Sequence, residues 1–176
     1  MKQKYLLFLL FFLPSFFISQ NNKAVKFIDQ LKTAGEDTNK LNILDNIIDQ
    51  LEIIEDWKSY NITYGNLSQK LLNSPNAKIK DCAQRHYALF LNNCGSISLD
   101  KNDNETARKQ ITNSLQLLEK LNYIKGLASA YNNMGELLGA EGDDEKAMEY
   151  FTRSLELEKR TADKAGMGST YNSMAL

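Results

Sequence analysis

Tyr131-Asn132-Asn133-Met134-Gly135 decides the fold, because the chain spells nearly the same thing twice more. Forty residues earlier stands Leu91-Asn92-Asn93-Cys94-Gly95, and forty later Tyr171-Asn172-Ser173-Met174-Ala175. The register holds outward from there without a gap. Ala107 falls on Ala147, Ile111 on Phe151, Ser114 on Ser154, Leu115 on Leu155, Leu117 on Leu157 and Gly126 on Gly166. Self-similarity at such a spacing marks a solenoid, since one unit cannot bury its apolar face without neighbours. Solenoids of this kind generally offer a surface to a partner and seldom perform chemistry.

The unit reads as two helices. Leu127, Tyr131, Met134 and Leu138 recur at spacings of three and four, which is one helix face. Gly139-Ala140-Glu141-Gly142-Asp143-Asp144 interrupts the pattern with glycines and cap-forming aspartates. A second amphipathic run follows through Ala147, Met148, Phe151, Leu155 and Leu157. Acids in its first turn and Lys159 and Arg160 at its end suit the helix dipole. The spacing thus predicts equivalent first helices containing Leu91–Ser98 and Tyr131–Leu138, and equivalent second helices over Glu105–Leu118 and Glu145–Glu158. Gly135 and Ala147 are the small residues expected where the two helices of a hairpin come close.

Tyr131, Met134, Gly135 and Leu138, followed by Ala147 and Phe151, resemble the tetratricopeptide pattern W-x2-L-G-x2-Y and A-x3-F. Leu91, Cys94, Gly95, Ser98, Ala107 and Ile111 fit the preceding unit with weaker choices, and Tyr171, Met174 and Ala175 begin a third. The resemblance covers Leu89–Leu176 and implies an α-solenoid of antiparallel helix hairpins, a tetratricopeptide-like right-handed superhelix. Two departures stand out. The closing proline is absent, and the period exceeds the family's usual spacing of about 34 residues, which implies a different pitch.

Outside the clear repeats, Leu41, Leu44, Ile47, Ile48, Leu51 and Ile54 form an apolar stripe that Trp57, Tyr60, Tyr64, Leu67 and Leu71 can pair with. Residues 20–80 are read as a capping helix around Ala24–Leu31 and a degenerate first helical repeat, and 81–176 as tetratricopeptide-like repeats with the last one truncated. Trp57 and the tyrosines are read as core rather than as an aromatic ligand box. Ser74-Pro75 suggests a helix start with the serine as cap. Leu176 falls inside a helix that the repeat demands, so the sequence is expected to be a fragment of a longer protein.

The first 19 residues are a separate object. Lys2 and Lys4 precede an apolar run from Tyr5 to Ile18, broken only by Pro14 and Ser15, which reads as a signal peptide cleaved after Ser19. The run is shorter than the roughly 20 residues of a bilayer span. Removal takes two lysines and no acids, leaving 19 basic against 22 acidic side chains. That balance argues against nucleic acid as a partner. The protein is expected to be exported, as a periplasmic protein, with the membrane involved only if the leader stays or a further helix follows.

Chemistry is scarce. Cys82 and Cys94 lie twelve residues apart on one expected helix, about 18 Å, too far to bridge. Cys94 takes a repeat core position and reads as buried. His86 is the single histidine, four residues from Cys82, and two ligands do not make a metal site. No nucleophile elbow or phosphate loop is present. No catalytic residue, cofactor or metal is therefore expected, and the protein is read as a non-enzyme. Asn61, Asn66 and Asn104 match the glycosylation sequon, as chance allows in an Asn-rich chain.

The recurring asparagines are the candidate site. Asn92, Asn132 and Asn172 return once per unit, with Asn93 and Asn133 beside them. An amide both donates and accepts, so it can hold a peptide group of any sequence. Tying helix to helix within the stack is the other role open to such a residue. In peptide-binding tetratricopeptide proteins, which this Leu-Asn-Asn pattern resembles, such asparagines line a concave groove and contact an extended peptide backbone. The resemblance therefore implies a protein or peptide partner, with Ser96, Glu136 and Gly139 as groove neighbours that set preference. Arrays of this look also stand before a membrane helix and a histidine kinase or DNA-binding output domain in bacterial signalling proteins. That makes a sensor part of a transmembrane regulator the alternative to a scaffold acting by itself.

Overall fold

A computed structural model describes residues 25–51 and 57–175. The leader, Leu51's side chain and Ile54 lie outside the described residues. Among those described there are eight helices and no strand. The chain divides into two compact units, residues 1–67 and 68–176.

In the first unit α1 covers 25–33, α2 Thr38–Leu51, and α3 begins at Trp57 and ends, beyond the unit boundary, at Leu71. The predicted stripe is the core here: Leu41, Leu44, Ile47, Ile48, Trp57, Tyr64 and Leu67 are all buried. Tyr64 keeps its hydroxyl satisfied by donating to Asp45 Oδ1 at 2.9 Å, which ties α3 to α2. Trp57 is thus a core residue.

The second unit carries the repeat. It contains α4 (Ala77–Asp100), α5 (Asn104–Lys120), α6 (Ile124–Ala140), α7 (Asp144–Thr161) and α8 (Lys164–Met174). α4 packs along α5 and α6 along α7, the hairpins meet through α5 with α6 and α7 with α8, and the first helices α4, α6 and α8 lie beside one another. α5 and α7 start forty residues apart, as do α6 and α8. α4 starts seven residues before the position that register assigns to it, so its first two turns have no counterpart in α6.

Every joint from α4 to α8 is built the same way. Asn102, Asn122, Gly142 and Ala162 have positive φ, between 49° and 83°, at intervals of twenty residues. The next residue donates its N–H to a carbonyl five back: Asp103 to Ser98, Tyr123 to Leu118, Asp143 to Leu138 and Asp163 to Glu158, each at 2.9–3.0 Å. This is the Schellman arrangement, which closes a helix and reverses the chain in three residues. Asp103, Asp143 and Asp163 then cap the following helix through their carboxylates, whereas Tyr123 offers no side-chain cap. The 40-residue period in sequence is therefore two 20-residue structural halves.

The hairpins close on small residues, with a correction to the expected pairing. A Cβ on Gly135 would lie 2.6 Å from Phe151 Cε1, and one on Gly95 2.5 Å from Ile111 Cγ1. Ala147 faces Gly139 instead, whose added Cβ would sit 3.9 Å away. Gly139 thus belongs to the hairpin contact. Ser114 and Ser154 donate to the carbonyls of Ala88 and Ala128, both at 2.7 Å, which explains why serine repeats there. The buried cluster runs continuously through Ala107, Ile111, Leu118, Ala130, Leu137 and Phe151.

Two smaller expectations also change. Asn76, not Ser74, caps α4, accepting from the N–H groups of Lys78 and Ile79; Ser74 Oγ accepts from Asn76 N at 3.2 Å. Cys94 is only half-buried although its equivalent Met134 is buried. No helix among the described residues is long and apolar enough to cross a membrane.

Candidate functional site

The side-by-side first helices bring the asparagine positions into one polar ladder. Asn92 on α4 is 2 % exposed, and its two amide atoms are both engaged by α6. Its Nδ2 donates to Ser129 Oγ and its Oδ1 accepts from Asn133 Nδ2, each at 3.0 Å. One repeat on, the same step joins α6 to α8. Asn132 Nδ2 donates to Glu136 Oε1 at 2.9 Å and reaches Ser173 Oγ at 3.5 Å, while Ser173 Oγ donates to Glu136 Oε1 at 2.6 Å. Ser173 stands where the previous unit has Asn133, so the ladder changes from amide–amide to hydroxyl–carboxylate.

The rungs differ in what they leave over. Asn92 has a partner on both atoms. Asn132 is buried, yet its Oδ1 has no hydrogen-bond donor among the described residues, and such an acceptor costs about 1–3 kcal/mol unless something supplies a proton. Asn172 is exposed, Glu136 is half-buried, and Asn93 and Ser96 are half-buried on α4. The structure therefore joins Asn92 to Asn133 and Asn132 to Glu136, and leaves Asn172 to solvent. Ser129 and Ser173 belong to the ladder but were not singled out in the sequence. The signal for Ser129 was present: Ser169 repeats it forty residues later.

Beside this face, Tyr131 and Tyr150 rings lie 5.8 Å apart with the Arg153 guanidinium 5.1 Å from the Tyr150 ring centre. Tyr131's hydroxyl donates to Glu119 Oε1 at 3.4 Å. Partial burial first, and the Glu119 charge second, hold that phenol above its ordinary range. The ladder itself is neutral amide and hydroxyl chemistry with one carboxylate, suited to hydrogen-bonding a polar backbone. Among the described residues no three His, Cys, Asp or Glu side chains gather as metal ligands. His86 is buried in α4, and burial, with Arg85 beside it, pushes its imidazole down to about 4.

Residues 128–161, covering most of α6 and the whole of α7, match the family model described as tetratricopeptide repeat. No curated protein matches the chain.

Proposed function

We propose that the chain, an α-solenoid whose residues 128–161 match the tetratricopeptide repeat, is a non-enzymatic scaffold for protein–protein interaction. Tetratricopeptide repeats generally mediate such interactions. The finer reading is that the face formed by α4, α6 and α8 receives a protein or peptide partner in extended form. One observation carries it: the ladder presents a buried carbonyl oxygen without a donor at Asn132 and an exposed amide at Asn172, in register along neighbouring helices. A peptide N–H is the donor that Asn132 lacks. Asn92 and Asn133, whose amides bond each other, hold the helices at the spacing that sets this register.

The test is a peptide selected by panning a random phage-displayed library on the protein, then titrated by fluorescence anisotropy. Asn172→Ala is expected to weaken binding by about 1–3 kcal/mol with no change in melting, because its exposed side chain bonds none of the described residues. Affinity unchanged in both Asn172→Ala and Asn132→Ala would end this reading.

We further propose that the repeats work outside the cytoplasm, in a periplasmic setting. Lys2, Lys4 and the apolar run to Ile18 support this. A reporter fused after Gln20 should be exported, with a mature N-terminus near Gln20. Retention of the reporter inside the cell would overturn it.

A further inference from the structure

We propose that α8 is a detachable cover over Asn132 and Glu136, and that its joint with α7 is built to yield. The repeat makes the α5–α6 and α7–α8 joints equivalent. Between α5 and α6 the contact is apolar: Leu118 and Ala130 are fully buried, and a Cβ on Gly126 would lie 2.6 Å from Leu118 Cδ2 and 2.8 Å from Tyr123 Cδ1. Forty residues on, Leu118 becomes Glu158, Tyr123 becomes Asp163 and Ala130 becomes Thr170. The glycine between them is kept, and a Cβ on Gly166 would meet carboxylate oxygens of both Asp163 and Glu158 at 3.0 Å.

Glu158 is only 3 % exposed. Its Oε1 accepts from Thr170 Oγ1 at 2.9 Å and lies 3.0 Å from Ser154 Oγ, whose proton points to the Ala128 carbonyl, and its Oε2 has no donor among the described residues. Thr170 is the residue that α8 buries, so the attachment of α8 to α7 rests on hydroxyl bonds to a half-satisfied carboxylate. A buried carboxylate with an empty acceptor is less stable than the leucine it replaces, and it regains solvation when α8 leaves. The chain reversal points the same way. Ala162 holds the left-handed conformation that Asn102, Asn122 and Gly142 hold at the other joints, and alanine is costlier there than asparagine or glycine. Two features that weaken the docked state, Glu158 and Ala162, thus fall within one joint.

What α8 covers gives the joint a use. Ser173 donates to Glu136 and lies over Asn132 Nδ2. When α8 swings out at Ala162, Glu136 and the Asn132 amide lose that hydroxyl and turn to solvent, while α4 to α7 keep their own core.

Hydrogen–deuterium exchange on the whole chain tests this independently of any partner. Amides of α8 at 167–174 should exchange at least about tenfold faster than those of 127–134 in α6, and the Asn132 side-chain amide should follow the α8 rate. The double variant Glu158→Leu/Thr170→Ala, which restores the residues of the α5–α6 joint, should slow α8 exchange by about tenfold or more and leave 77–120 unchanged. Ala162→Asn changes no buried side chain and should slow α8 a few-fold, so it decides alone if the double variant fails to fold. Exchange of α8 unchanged in the variants, or α6 and α8 of the wild type opening together at one rate, would overturn the proposal.

Discussion

Replacing Gly135 by Ala sets two opposing effects against each other, and the structure decides the sign. Alanine is the better helix former by about 1 kcal/mol, so the substitution should stabilise α6 wherever the new methyl has room. At Gly135 it has none. Its Cβ would lie 2.6, 2.7 and 3.0 Å from three ring carbons of Phe151, where carbon contacts are comfortable at about 3.5–4.0 Å. The ring, itself 4 % exposed, must retreat by about 0.9 Å into the cluster with Ala147 and Leu138. Overpacking on this scale costs about 1–3 kcal/mol, so the net effect should be a loss of about 0–2 kcal/mol. Gly168, inside α8, is the internal control: a Cβ there meets nothing within 4 Å, and Gly168→Ala should gain up to about 1 kcal/mol. Urea unfolding followed by far-UV circular dichroism measures both. Phe151→Leu should relieve the Gly135→Ala defect when the two are combined. Stabilisation by Gly135→Ala equal to that by Gly168→Ala would refute the close approach of α6 and α7 at this point.

Asn92→Ala should destabilise by about 1–3 kcal/mol because it strands the Asn133 amide in a buried site, and thermal melting reads the loss directly. Ala162→Gly should raise the urea midpoint, by about 0.5–1.5 kcal/mol of stability, whereas Asn122→Ala at the equivalent joint should lower it. His86 binds its proton far more weakly folded than unfolded, so stability is complete above about pH 6.5 and falls as pH drops toward about 4. As the only histidine, its ring protons follow the titration by NMR without assignment, and His86→Gln should flatten the pH dependence in that window.

The register of apolar residues was legible because each unit repeats the same demand: a small residue where helices meet and a large one opposite it. That Gly135 and Ala147 sit where the helices of a hairpin meet follows from the sequence once the offset is seen, but that Gly135 meets Phe151 and Ala147 meets Gly139 does not, because it depends on how two helices slide past each other. The joints were less legible. Asn102 and Asn122 end their helices as glycine does, and asparagine is too common in this chain for the fact to stand out. Asn76 rather than Ser74 is the cap because its own backbone is extended, at φ −81° and ψ 115°, and its side-chain oxygen reaches the N–H groups of Lys78 and Ile79. The asparagine positions were visible, but not how their amides are shared. Whether Asn92 faces a ligand or Asn133 is decided by the lateral spacing of α4 and α6, which no local pattern encodes. Glu158 is the clearest such case, since a glutamate near a helix end reads as solvated until the next helix lies over it.

The most direct test of the account is side-chain amide NMR of the labelled chain titrated with a selected peptide. The account predicts that the NH2 signals of Asn132 and Asn172 shift and saturate with the peptide, while those of Asn92 and Asn133 stay in place. Shifts confined to α5 and α7, with the Asn132 and Asn172 amides unmoved, would contradict it.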